Sequence, residues 1–371
     1  MNFNFIGTLG VSELDSKRPY LREGKTKNGN VYKSFNANIS NAKNNMAFVE
    51  MFGMKQDSIK TKSGGGEDIV IQWEDRFDED VLEDVASYAK HVVNIDERKE
   101  FLSDYDYIGH LCDNIDLIKG ERVQIRGRVR KSIYQGKIQN RYEIQSFYLV
   151  DEDSEVKNSM RITMEFFFTK ESFDVSEWKD SKKIYIDGYT KEYVDKENGT
   201  KYMPQRIILD ASKVDFENER HKRLLDFRLK VFGLVDEGGK IKVNLKGTEY
   251  YSLSVICNYV NGAEEITEIS LDDLTEMQRM AVEIGMKTLA DFQPKGNVFG
   301  DRVTELRVID FNLNNDYADG MIVQGKVAEL EEEIYYPSTE DAASVAEEVE
   351  KAVEKIEKTE DDEDELDDLF G

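Results

Sequence analysis

Arg122-Val123-Gln124-Ile125-Arg126-Gly127-Arg128-Val129-Arg130 is the stretch on which the reading of this chain turns. Apolar and polar residues alternate through it without a break, the two-residue period of a half-buried strand. Val123, Ile125, Gly127 and Val129 therefore share one face, and Arg122, Gln124, Arg126, Arg128 and Arg130 share the other. Same-face neighbours on a strand lie about 6.6 Å apart, which suits a row of contacts to successive phosphates. Arginines in one row repel each other and gain little unless an anion meets them. The plainer alternative is a solvated face neutralised by nearby carboxylates.

Outward from this strand, a partner spans Gln139 to Val150. A related unit follows in Lys183 to Lys191, a Glu197-Asn198-Gly199 turn and Pro204 to Leu209, with the same apolar-x-apolar-x-Gly strand. Upstream, strands are expected at Phe3–Val11, Val31–Ile39 and Met46–Phe52, with Lys27-Asn28-Gly29-Asn30 as a hairpin turn. The strand at 183–191 follows its counterpart at 122–130 by about 60 residues, and Asn45–Phe52 echoes Ser159–Phe166, so the pattern implies a duplicated β module. Ser63-Gly64-Gly65-Gly66 reads as a flexible loop. From Asp78 to about Ile118 the spacing turns helical, with Val81, Leu82, Val85, Tyr88 and Ala89 on one face. Further strands are expected at Phe227–Val235, Tyr250–Tyr259 and Val303–Phe311. A helix is expected over Asp272–Thr288, capped by Ser270.

The chain has 371 residues and a formal charge of -26, which on average would repel a polyanion. The average hides segregation. Glu331 to Gly371 holds 18 acidic and 3 basic residues, and Glu67 to Ile118 holds 16 and 4. Met1 to Lys60 has 9 basic against 5 acidic residues, and Lys119 to Val150 has 8 against 2. Two cysteines build no disulfide framework, no leader-like start is visible and no apolar run reaches the roughly 20 residues of a membrane span. These features give the expectation of a cytoplasmic protein with no membrane partner.

Five short strands with a helix or insertion between the third and fourth is the layout of an OB-fold barrel, one face of which binds oligonucleotides. The expected fold is mainly β: tandem OB-fold-like five-stranded barrels with a helical insertion and a disordered acidic C-terminal tail. The first module is placed at residues 1–155, with its acidic helical insertion at about 56–118. A second OB-like module with an additional helix follows at 156–330, and the tail occupies 331–371.

Phe5-Ile6-Gly7-Thr8-Leu9-Gly10 and Lys119 to Val129 resemble the first and fourth strands of single-stranded DNA-binding proteins of the bacterial and phage replication type. The acidic tail is similar to theirs, and Ile71-Gln72-Trp73-Glu74-Asp75-Arg76-Phe77 with the segment after it resembles the phage members in particular. The likeness covers about residues 1–216 plus the tail. Two features depart from the bacterial pattern: Gly371 follows Phe370, where that family ends on its phenylalanine, and the long insertion between strands three and four is absent from simple members. The resemblance implies sequence-independent binding and protection of single-stranded DNA in phage DNA replication, recombination and repair. It also implies that Asp367, Asp368, Leu369 and Phe370 recruit replication or recombination proteins, while the carboxylates compete with DNA for a basic groove.

The candidate DNA-binding residues in the first module are Tyr20, Arg22, Lys25, Lys27, Tyr32, Lys33, Arg122, Arg126, Arg128, Arg130, Lys131, Tyr134, Lys137, Arg141 and Tyr142. In the second they are Tyr185, Tyr189, Lys191, Tyr193 and Tyr202. A base stacked on a tyrosine gains roughly 1 to 3 kcal/mol whatever the sequence, and interleaved cations hold the backbone. RNA offers the same stacking and phosphate contacts. For any single tyrosine, core or rim packing is the competing role. The loop from Tyr134 to Tyr142 is placed to close over a bound strand. Two other functions fit the composition: an acidic DNA mimic that inhibits a DNA-processing enzyme, and an interaction protein with no nucleic-acid role.

No enzyme signature is found, and no cofactor is implied. Gly64-Gly65-Gly66 is followed by Glu67 rather than the Lys and Ser/Thr of a phosphate-binding loop. His110-Leu111-Cys112 has no second ligand pair to complete a zinc site. Asp104 with Asp106, or Asp113 with Asp116, are pairs that an acidic chain produces by chance.

Overall fold

In β1 (Asn2–Gly10), Phe3, Phe5 and Leu9 are sealed in the core while Asn2 and Thr8 stay outside. The computed structural model of the chain describes all residues except 135–136, 152, 196–198, 235–240, 244, 246–249, 267–273, 285, 293–297, 313–322 and 325–371. The acidic tail, the Ser270 cap and part of the Glu197-Asn198-Gly199 turn lie outside the described residues.

The first module continues through β2 (Leu21–Lys25), β3 (Val31–Ala42) and β4 (Asn45–Met54). An insertion then carries β5 (Ser58–Lys62), β6 (Asp68–Gln72), α1 (Glu79–Asp84), β7 (His91–Asn94), β8 (Arg98–Phe101), α2 (Asp104–Asp113) and α3 (Ile115–Ile118). Then come β9 (Arg122–Tyr134) and β10 (Lys137–Leu149). β1 pairs with β3, β3 with β4, β4 with β10, β10 with β9 and β9 with β1, which closes a ring. All these pairings are antiparallel except β4 with β10, where Glu50 faces Glu143 in parallel. In chain order the ring runs 1-2-3-5-4-1, with α2 between the third and fourth strands, and this is the OB-fold barrel.

The second module is built from β11 (Ser159–Phe168), β12 (Phe173–Asp174), β13 (Lys183–Asp195), β14 (Gly199–Asp210), α4 (Glu219–Val231), β15 (Tyr251–Ile266), α5 (Glu276–Glu283), β16 (Val298–Phe311) and β17 (Val323–Gln324). Its ring is β11–β13–β14–β16–β15, again antiparallel except for the parallel contact of β14 with β16. The order is the same, and α4 again lies between strands three and four.

The duplication is therefore of whole barrels, and β11 corresponds to β1 rather than to β4. The sequence likeness of 122–150 to 183–209 pairs two hairpins from different places in the ring. They look alike because both strands need a glycine where backbones and rings crowd. A Cβ on Gly127 would lie 1.9 Å from the Glu143 carbonyl oxygen and 2.7 Å from the Phe3 ring. One on Gly188 would lie 2.3 Å from the Phe167 carbonyl oxygen and 2.5 Å from the Phe166 ring.

Three other expectations change. Residues 227–231, read as a strand, close the helix α4. Asn218 caps it by accepting from the Arg220 and His221 amides, and Leu225, Leu229 and Phe232 fall on one buried stripe. Gly233, at φ 66, then turns the chain out of the helix. The insertion is helical at α1, α2 and α3, but 58–72 and 91–101 are hairpins, and the glycines at 64–66 form the turn between β5 and β6. Its small core is Ile71, Val85 and Leu102. Finally, α5 is shorter than expected and is capped by Thr275, whose hydroxyl and Gln278 form a reciprocal box.

The barrels are fused along β1 and β11, which pair antiparallel from Asn2↔Thr163 to Ile6↔Ser159. Tyr259 of β15 stacks on Phe5 at 5.9 Å and packs against Tyr142 at 5.4 Å, so one apolar cluster runs through both. Asn45 and Asn261 lock the turn of β3–β4 to β15, with Asn261 donating its amide to Asn45 Oδ1 at 2.7 Å and its side chain to the Met46 carbonyl at 2.9 Å. Among the described residues no helix is long and apolar enough to cross a membrane.

Candidate nucleic-acid interface

In an OB barrel, ligands lie on strands two and three between the 1–2 and 4–5 connections. On the first barrel that face is the outer side of β3 and β4. Ala47, Val49 and Met51 point inward, which forces Phe48, Glu50 and Phe52 outward, where Phe48 is 62% and Phe52 48% exposed. Opposite them stand Asn38, Asn36 and Ser34 of β3. Tyr32 stacks on Phe52 at 5.4 Å with the rings 29° apart. Exposed aromatic rings in a row cost stability that the fold does not recover, and they are what base stacking requires.

A cleft of about 620 Å³ opens at Phe48. Its walls are Arg18 and Arg22 from the 1–2 connection, Asn36, Asn38 and Glu50 from the sheet, and Gln139, Asn140 and Arg141 from the start of β10. Three guanidinium groups thus surround an aromatic floor. Arg22 donates to the Lys17 carbonyl at 3.1 Å, and Arg141 is paired with Glu50. A phosphate arriving here would compete with Glu50 for Arg141.

Asn140 also lines a second cleft of about 470 Å³, whose other residues include Lys131, Asp187, Tyr189, Pro204, Gln205 and Arg206. The β9–β10 hairpin of the first barrel therefore stands between the two faces, with one cleft on either side. Here the second barrel is closed on itself. Arg206 makes a bidentate pair with Asp187, both bonds 2.7 Å, and its guanidinium lies over Tyr185. Tyr202 packs edge-on against Phe167 at 5.1 Å, and Tyr189 against Tyr250 at 6.1 Å.

No family model matches the chain, and no curated protein matches it. Among solved structures, a deletion mutant of the single-stranded DNA binding protein from Thermus aquaticus overlaps at a TM-score of 0.29 and 12% identity, covering 70% of this chain and 86% of that one. The wild-type form of that protein overlaps at 0.28 and 10% identity, covering 70% and 84%. Overlap at this level carries no weight for fold or function. The barrel assignment rests on the strand pairings of this chain.

The sequence-derived candidates divide by location. Arg22 and Arg141 line the first cleft with Tyr142 at its floor, and Tyr32 lies on the same face. Lys25 and Lys27 are exposed on β2 and its turn. Lys33 is turned under α2, paired with Glu23 at 3.2 Å and over the Tyr105 ring. Tyr20 faces α3 in a different hollow. Tyr142 and Tyr202 are buried, 7% and 8% exposed, so both serve packing.

No residue of the arginine row lines the first cleft. Arg122 donates to Asn158 at 2.8 Å, Arg126 lies over Tyr148, Arg130 pairs with Glu143 at 2.8 Å, and Arg128 is exposed. Lys131 points inward with the apolar residues and donates to the Pro204 carbonyl at 2.8 Å across the barrel junction. Burial pushes its ammonium down to about 8, with Glu192 acting the other way. Tyr185 is half-buried with its hydroxyl on Glu177, Lys191 lies over Tyr202, and Tyr193 is exposed. The side chains of Tyr134 and Lys137, and Asp367, Asp368, Leu369 and Phe370, fall outside the described residues.

Arg18, Phe48, Phe52 and the carboxamides were not legible as a site in the sequence. Residues 47–52 are apolar at five of six positions, so alternation alone does not say which side is buried. The one available signal was Glu50, which must face water and takes Phe48 and Phe52 with it. One of the carboxylate pairs finds structural partners: Asp104 holds His91 at 2.8 Å, and Asp106 holds Arg76 at 2.7 Å.

Proposed function

We propose that this protein binds single-stranded DNA with little sequence dependence, in phage DNA replication or recombination, and that it does so without catalysis. The observation that carries this reading is the cleft on the first barrel, where Arg18, Arg22 and Arg141 surround the exposed Phe48 ring on strand three, with Phe52 exposed on the same face. Rings that face water give bases a stacking platform, and the guanidinium groups hold the backbone. Arg126 and Arg128 serve as weaker backbone contacts beyond the cleft. The acidic tail competes for these cations and, when displaced, offers Asp367, Asp368, Leu369 and Phe370 to partner proteins.

Titration of a labelled oligo-dT and of a duplex of equal length tests this directly. Single-strand preference, with an affinity that falls steeply as salt is raised, is the expected result. Absence of single-strand binding at low salt overturns it. Removal of residues 360–371 is expected to tighten binding at low salt, and unchanged affinity would remove the competitive role of the tail.

A further inference from the structure

The first cleft holds more than arginines and a ring. Asn36 and Asn38 are same-face neighbours on β3, and Asn38 stands directly across from Phe48. Gln139 approaches from β10 on the other side. None of these three side-chain amides has a hydrogen-bond partner among the described residues, although Asn140 beside them bonds to the Tyr142 hydroxyl. A row of phosphate contacts does not need carboxamides, since cations do that work better. An amide next to a stacking platform offers one donor and one acceptor side by side, which is the complement of a base edge.

We propose that the cleft takes one nucleobase flat against Phe48 and that Asn36, Asn38 and Gln139 read its edge, favouring adenine. This rests on the single-strand reading above and adds a base preference at one position. The argument for adenine is the count of hydrogens. Its amino group carries two, and it is flanked by acceptors at N1 and N7, so carboxamides on opposite sides can each make a bidentate pair. Thymine has one N–H between two carbonyls, and that single hydrogen serves only one amide. Guanine takes one carboxamide at O6 and N1–H, but its O6/N7 edge shows two acceptors and offers no second bidentate pair there, and cytosine offers its amino group beside only one ring acceptor.

Asn38 is held in place by an absence. Its amide lies over Gly10, where a Cβ would come 2.4 Å from Oδ1 and 2.8 Å from Nδ2. Any side chain at residue 10 would push that amide away while leaving Phe48 on its own strand.

The test compares oligo-dT with oligonucleotides of the same length in which one central thymidine is replaced by dA, dC or dG, read by competition against a labelled oligo-dT. The dA form is expected to bind about fivefold tighter than the all-dT form, the lower end of what one bidentate pair contributes. In Asn36→Ala/Asn38→Ala, and separately in Gly10→Ala, the ratio of dA to dT affinity is expected to fall to about one. Far-ultraviolet circular dichroism checks that each variant keeps its strands. Equal affinity for all four oligonucleotides in the unaltered protein overturns the inference and leaves single-strand binding standing. A dA preference that survives in the double variant overturns the assignment to these residues. Binding to none of the four overturns the parent reading as well.

Discussion

The outer faces of strands two and three in the two barrels occupy the same place in the same topology, yet the first presents bare phenylalanine rings while most aromatic and charged side chains of the second pack against or pair with one another. On the first, Phe48 and Phe52 face water and the amides of Asn36 and Asn38 have no partner among the described residues. On the second, Tyr189 and Tyr202 are covered by Tyr250 and Phe167, and Arg206 is neutralised by Asp187. Topology therefore sets where a site can be, while the neighbours of each side chain set whether it is available. Tyr250 precedes β15 and folds back onto the second barrel's face; on the first barrel Phe48 is left uncovered.

The largest expected contrast comes from removing charge. Arg18→Ala/Arg22→Ala/Arg141→Ala should weaken oligo-dT binding about a hundredfold or more at low salt, since each charged hydrogen bond contributes roughly 1.5 to 3 kcal/mol. It should also flatten the slope of log affinity against log salt by about two. Arg206→Ala on the closed face should change affinity by less than about threefold. Equal losses on both faces would erase the comparison.

Aromatic substitutions sharpen it. Phe48→Ala should cost about 1 to 3 kcal/mol of binding, and a melting curve should show little loss because the ring is exposed. Tyr202→Ala should behave oppositely, lowering the melting temperature through a cavity of buried ring contacts while leaving affinity nearly unchanged. A fall in affinity for Tyr202→Ala as large as that for Phe48→Ala would mean the second face opens in solution.

A smaller effect concerns the junction between the faces. The folded value of Lys131, about 8, lies below the ordinary 10.5, so between those values the unfolded chain holds the extra proton. The contribution of this group therefore rises with pH across that window, by about 3 kcal/mol in all. Chemical denaturation at pH 7.5 and pH 10 should show the wild type gaining on Lys131→Met as pH rises. A constant difference between the two would show that Lys131 is solvated rather than sealed at the junction.

Strand alternation was legible wherever one side is polar, as in β9 and β13, and five strands with an interruption were enough to indicate a barrel. Alternation failed at 227–231, because Phe227-Arg228-Leu229-Lys230-Val231 satisfies the strand period locally and only Leu225 and Phe232 reveal the helical stripe. The site was partly legible. Charge picks out Arg22 and Arg141, which line the candidate cleft, whereas Lys33 is turned under α2, Lys131 and Tyr202 are buried, and Tyr142 is buried at the floor of the cleft. Type and period do not say which way a side chain points once a strand reaches a junction between two barrels.

The order of the residues already makes the chain mainly β, with its positive charge gathered in the first module and its negative charge in an insertion and a tail. Those follow from local period and composition. Long-range pairing, in contrast, fuses the two barrels along β1 and β11, sets the arginine row off the cleft and brings Arg18, Phe48 and Arg141 together. These residues are far apart in the chain, and the closure of a ring with one parallel pair brings them to the lining of one cleft.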